Sequence, residues 1–138
     1  MNWSKTLDFG ALLDTQTALV AANDAGGTTN GPSLDRTKFA HGTLHVTVGS
    51  PTGAPTSFSV DVKVQESDDG TTWSDVSGAA IPTITTADTD AKIDVKLIGL
   101  KRYVRAVSTV SFSGGTAPAV PVAAVFTFGG VTGNAIPV

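Results

Sequence analysis

Residues 57–77, SFSVDVKVQESDDGTTWSDVS, constrain this chain more than any other stretch. Phe58, Val60, Val62 and Val64 alternate with Ser59, Asp61, Lys63 and Gln65, the period-two pattern of a strand with one buried face. Asp69-Gly70 follows as turn chemistry, because glycine adopts a positive φ without steric cost and aspartate tolerates one, which predicts a primed hairpin turn. Trp73 and Val76 then fall on the returning strand. A hairpin of this kind asks for a second layer to cover its apolar face.

Similar strands recur along the chain, separated by Gly- and Pro-rich loops. Leu44, Val46 and Val48 mark one, and the loop Gly49 to Thr56 closes it. Ile81 to Ile84 reads as a short edge piece because Pro82 cannot donate a ladder hydrogen bond. Ile93, Val95 and Leu97 alternate with Asp94 and Lys96, and Gly99 ends that strand. Lys101 to Phe112 carries apolar groups on both faces, which predicts a central strand. In Ala119 to Phe128, Val120, Val122, Ala124, Phe126 and Phe128 share a face, while Pro121 should place part of this strand at an edge or a bulge. Residues 12–22 have some helical propensity, but Thr15, Thr17 and Val20 are β-branched, so an arm or edge strand is expected there.

With strands at this spacing and no strand–helix alternation, the chain should be all-β. The expected architecture is a single-domain antiparallel β-sandwich, in jelly-roll form or, as the alternative, a small closed barrel. The division expected from sequence is an N-terminal arm or edge segment over residues 1–22, the sandwich over 23–130 and a C-terminal tail over 131–138. At 138 residues the chain suits one core.

A net charge of −3 gives no general attraction for phosphate backbones or anionic lipid, which argues against nucleic-acid and membrane partners. There are no cysteines, so disulfides and thiolate metal sites are excluded. The stretch MNWSKTLDFGALL has neither a basic n-region nor a long apolar run, which predicts synthesis in a cytoplasm.

No residue set has the spacing of a catalytic or metal site, so neither enzyme activity nor a cofactor is expected. His41 and His45 have the spacing of a helical metal pair, but a strand there would hold them about 13 Å apart. Asp68, Asp69 and Asp75 lack the spacing and terminal glutamate of a calcium loop. Asp61 with Lys63, and Asp94 with Lys96, read as solvated strand faces. Lys101, Arg102 and Arg105 beside Tyr103 form the one basic cluster with an aromatic in it, and in an acidic domain their stems are better spent covering apolar surface. Trp3, Trp73 and Tyr103 could build an aromatic platform for sugar, although core packing accounts for Trp73 equally well.

The runs Val60 to Gly78 (VDVKVQESDDGTTWSDVSG) and Leu100 to Gly130 (LKRYVRAVSTVSFSGGTAPAVPVAAVFTFGG), preceded by the arm Trp3 to Leu13 (WSKTLDFGALL), resemble the small virion structural proteins of tailed bacteriophages and their prophages. The capsid decoration, or cement, class is the most similar. That resemblance implies a β-domain made in the bacterial host cytoplasm that binds the major capsid protein on the outer capsid surface of the virion and self-associates as a dimer or trimer. It supplies no motif for the contact itself. Trp3, Leu7 and Phe9 in the arm, with Tyr103 and Val107 on an outer strand face, are the residues expected to make partner or self-association contacts. A tail or head-fibre component, or a carbohydrate-binding module using Trp73 or Tyr103, are the alternatives.

Overall fold

The computed structural model describes residues 13–131. They form nine strands: β1 (Asp14–Asp24), β2 (Gly27–Asn30), β3 (Leu34–Asp35), β4 (Phe39–Val48), β5 (Ser57–Ser67), β6 (Ser74–Ala80), β7 (Thr89–Lys96), β8 (Tyr103–Ser113) and β9 (Val120–Val131). One sheet has the order β1-β9-β4-β7, and the other runs β2-β8-β5-β6 with β3 also paired to β8. All pairings are antiparallel. If β2 and β3 are taken as one interrupted strand, the chain changes sheet at every connection except β5 to β6. This is the double Greek key of a jelly roll.

Valine alternation builds the core. Val60, Val62 and Val64 of β5 meet Val46 and Val48 of β4, Val104 and Val110 of β8 and Val120 and Val122 of β9 in one buried cluster. Branched side chains suit this pleated, enclosed surface because their restricted χ1 costs little there. At one end the filling is aromatic: Phe126 and Phe128 are fully buried, with ring centroids 4.9 Å apart, and Phe39 stacks on Phe128 at 5.6 Å. Gly42 makes the room, since a Cβ on it would stand 2.8 Å from Phe126 and 3.2 Å from Phe128.

Several expectations are corrected in detail. The β5–β6 connection is a six-residue loop, 68–73, and of its central pair only Gly70 has a positive φ, at 76°, so the two-residue primed turn does not form. Trp73 precedes β6 and belongs to neither the returning strand nor the core cluster. The boundary expected at residue 22 falls inside β1, which pairs with β9 from Asp14 to Asp24 as an edge strand, and β9 itself runs through the other boundary to Val131. β9 is internal over most of its length, and Pro121 stands, as expected, on a part of the strand that is an edge, paired with β1 alone. That residue lies beyond Val122, the last position paired with β4, so its missing N–H costs no β4 ladder bond, and its carbonyl accepts from the Gly49 N–H at 2.9 Å.

Candidate functional surface

The outward face of β8 carries Tyr103, Arg105 and Val107, in register with Ser67, Gln65 and Lys63 of β5. Arg105 donates from both Nε and Nη2 to Gln65 Oε1, at 3.0 and 2.8 Å. Gln65 Nε2 donates to Asp75 Oδ1 at 2.8 Å, and Lys63 Nζ reaches Asp75 Oδ2 at 3.0 Å. The Arg105 guanidinium also lies 4.3 Å from the Trp73 ring centroid. Desolvation pulls the Arg105 pKa below its usual value, while the bonds from Gln65 and Lys63 hold the Asp75 carboxyl below its own. The result is a polar ladder in which the Lys63 and Arg105 cations are linked, directly and through Gln65, to the single carboxylate of Asp75.

The basic cluster is answered in the same way. Arg102 donates from Nε and Nη2 to Asp35 Oδ2, both at 3.1 Å, and lies 5.0 Å from the Tyr103 ring centroid. Lys101 Nζ stands 3.7 Å from Asp68, and Arg36 bonds the Leu100 and Lys101 carbonyls. With local acids and carbonyls taking up these cations, the cluster does not form the free basic stripe that phosphate recognition uses. One face of the Trp73 ring and one of the Tyr103 ring are each occupied by a guanidinium, which competes with sugar stacking there.

Val107 does not stand on an open face. It is only 4% exposed, in register between Asn30 of β2 and Lys63 of β5, and lies outside the core cluster. Its expected role in association is corrected on that ground. Tyr103 is half-buried under Arg102. Trp3, Leu7 and Phe9 lie outside the described residues.

His41 and His45 are both exposed on the outward side of β4, two strand repeats apart, opposite Lys96 and Lys92 of β7. These lysines oppose a shared cation, and no group of three or more potential metal ligands occurs among the described residues.

The loop 68–73 is held by Asp69, whose Oδ1 accepts from the Thr71 and Thr72 N–H groups at 2.9 and 3.0 Å, while Ser67 Oγ accepts from the Gly70 N–H at 2.9 Å. The backbone bond from Thr72, then that from Thr71, push the Asp69 pKa far below the usual carboxylate range. A depressed folded pKa contributes stability above the unfolded value, near 3.9, that is lost as the pH falls below it. Asp69→Asn should therefore melt below wild type at pH 6, and the gap should narrow progressively from about pH 4 downward. Thermal unfolding across that range is the check; a gap that ignores pH would remove the charge from the account.

The opposite face of the molecule is different in kind. β9 has no charged residue along its length, β4 has none besides its two histidines, and the charges of β1 stand at its ends, Asp14 and Asp24. The outward surface across β1, β9 and β4 is thus built from Thr, Ala, Val and His. Val125 is 37% exposed on it, and Val20 is 73% exposed where β1 bulges between Leu19 and Ala22 at its margin. The signal in the sequence is the uncharged run from Val120 to Val131, whose outward positions lack charge as completely as its inward ones.

No protein-family profile matches the chain, and no curated protein matches it in sequence. Solved structures do share the fold. The PBSX exported protein XepA overlaps with a TM-score of 0.60 at 15% identity, covering 87% of this chain and 38% of that one. A chain in the structure of the infectious bursal disease virus Gx strain overlaps at 0.50 with 17% identity, covering 88% of this chain and 33% of that one. The SPBc2 prophage-derived protein YomS overlaps at 0.46 with 17% identity, covering 83% and 92% of the two chains. The strand order, with the likenesses to XepA and to the bursal disease virus chain, defines the class: an all-β, two-sheet antiparallel sandwich of jelly-roll type.

Proposed function

We propose that this chain is a virion structural protein of a tailed phage, one that binds the outside of the capsid shell through the outward face of the β1-β9-β4-β7 sheet and reinforces it. The observation that carries this reading is that face. It carries no Asp, Glu, Lys or Arg along β9 and β4, and it exposes Val125, with Val20 exposed on the bulge of β1 at its margin. A sheet face without Lys, Arg, Asp or Glu that also exposes apolar side chains is suited to contact with another protein. The sequence resemblance to small virion proteins supplies the kind of partner, the major capsid protein of the same phage. A jelly-roll fold shared with a chain of a virus structure is consistent with it.

A shell with many equivalent sites needs only shallow, repeated contacts, because attachment at several points multiplies weak affinities. The arm residues Trp3, Leu7 and Phe9 would add to that contact, with main-chain hydrogen bonds giving affinity and alternate side chains finding shallow pockets. Tyr103, on the other sheet, is then free to face solvent.

Co-sedimentation with undecorated capsids tests the proposal. Val20→Asp combined with Val125→Asp should weaken capsid binding about tenfold or more while leaving the melting temperature close to wild type, since both side chains already meet water. A chain beginning at Leu13 should bind more weakly than the full chain. Undiminished binding by the double variant would remove this face from the contact, and failure of the wild type to sediment with capsids would end the reading.

A further inference from the structure

Among the described residues β7 is an edge strand, paired only with β4. Its outward side chains are Asp90, Lys92, Asp94 and Lys96, all exposed and alternating in sign. Asp94 accepts a hydrogen bond from Thr43 at 3.0 Å, but none of the four makes an ion pair among the described residues. Just past the strand, the Leu97 N–H donates to the Ala40 carbonyl at 2.8 Å. Carried along the β4 register, that bond directs the main-chain groups of Val95, Ile93 and Ala91 toward β4. The N–H and C=O groups of Asp90, Lys92, Asp94 and Lys96 are left on the free edge.

We propose that two copies of this chain pair through β7, antiparallel about a two-fold axis centred on Ile93, joining their sheets into one continuous eight-stranded sheet. In that register Asp90 lies opposite the second copy's Lys96 and Lys92 opposite its Asp94, and the two-fold repeats both pairs. The residues so matched are the ones whose main-chain groups are free, so the ladder and the charges ask for the same alignment. On the inward side Ile93 meets its own copy and Ala91 meets Val95, apolar against apolar; Ala91 and Ile93 are half-buried in the single chain. A slip of two residues either way places Asp on Asp and Lys on Lys, and a slip of one turns the free main-chain groups out of register. A strand whose charges only deterred edge pairing would need no such alternation; a single sign would serve better.

The pairing rests on the edge alone and stands whether or not the protein binds a shell. If it does, the two uncharged faces lie side by side on the same side of the joined sheet, and one dimer presents both to the same surface.

Light scattering and sedimentation velocity on the full chain over a concentration series provide the test. Wild type should dimerise. Lys92→Asp with Lys96→Asp, and separately Asp90→Lys with Asp94→Lys, should each weaken dimerisation about a hundredfold, since every matched pair becomes like-charged. Mixing the two variants should restore a dimer, now a heterodimer, because the all-acidic edge fits the all-basic one. A wild type that stays monomeric, variants that each dimerise as wild type does, or a mixture that fails to associate would overturn the proposal. Capsid co-sedimentation by a monomeric wild type would overturn the pairing and leave the shell reading standing.

Discussion

Val62→Asp is expected to abolish soluble expression or leave a chain without a cooperative melting transition. Val62 lies near the middle of β5, is 1% exposed and sits in the principal core cluster. β5 is flanked by β8 on one side and by β6 with the Ile81–Ile84 segment on the other, so the strand cannot turn its new carboxylate outward without losing both ladders. An uncompensated buried charge costs about 3–5 kcal/mol, a large share of the roughly 5–15 kcal/mol that holds a domain folded. Val95→Asp is the graded comparison. Val95 is 4% exposed on the edge strand β7, where water is nearer, and that variant should be damaged less. Recovery of both as folded protein with unchanged urea midpoints would mean that the inward alternation of β5 and β7 is wrongly assigned.

The inward alternation was legible because each strand repeats one physical bargain: branched or aromatic residues in, Ser, Thr, Asp and Lys out. That pattern gave the all-β class, the central position of β8 and the strand period that separates His41 from His45. It could not give the order of strands within the sheets, which depends on pairs such as Gly42 with Phe128 and Val60 with Val110, far apart in sequence. Local turn chemistry misled at Asp69-Gly70. The same residues that make a primed turn also make a loop capped by a carboxylate, and the bonds from the Thr71 and Thr72 backbone N–H groups to the Asp69 carboxylate decide between them only once the chain is folded. Pro121 signalled correctly: the β4 ladder stops at Val122, so at the proline β9 keeps only β1 beside it.

The candidate surface was less legible than the fold. Val107 looked like an outward apolar residue because its position on β8 is outward, but exposure depends on the neighbours at Asn30 and Lys63, which only the β2-β8-β5 order brings beside it. The acids that answer the basic cluster, Asp35 of β3 and Asp68 of the β5–β6 loop, lie more than 30 residues away along the chain, and only the fold brings them beside it. In contrast, the uncharged run of β9 and the alternating charges of β7 were both visible in the sequence. Their meaning was not, because a neutral outward row becomes a face only when neighbouring strands are neutral too, and an alternating row becomes an edge only when nothing pairs beyond it.

Gly31→Ala is expected to destabilise the protein as severely as a buried charge would, though the change adds a single methyl group. Gly31 lies between β2 and β3, and its N–H donates to the Ala106 carbonyl of β8 at 2.7 Å. A Cβ there would stand 2.0 Å from the Ala18 carbonyl oxygen of β1 and 2.9 Å from that of Ala106. The two oxygens belong to opposite sheets, so the glycine marks the place where the layers come together at one side of the sandwich. Neither obstacle is a side chain that can rotate away. Relief requires the sheets to move apart, which opens the core around Ala18 and Leu19, or the Ala106 bond to break. Overpacking costs about 1–3 kcal/mol where side chains can adjust, and here the cost should reach or exceed the top of that range. The melting temperature should fall by about 10 °C or more. Gly27→Ala is the matching control: a Cβ at Gly27 meets nothing within 4 Å, but its φ of 99° disfavours any side chain, so it carries conformational strain without the clash. Both substitutions restrict the unfolded chain alike, so the difference between their unfolding midpoints isolates the collision at the sheet junction. If Gly31→Ala melts no lower than Gly27→Ala, the two layers do not close as tightly at Gly31 as this packing requires.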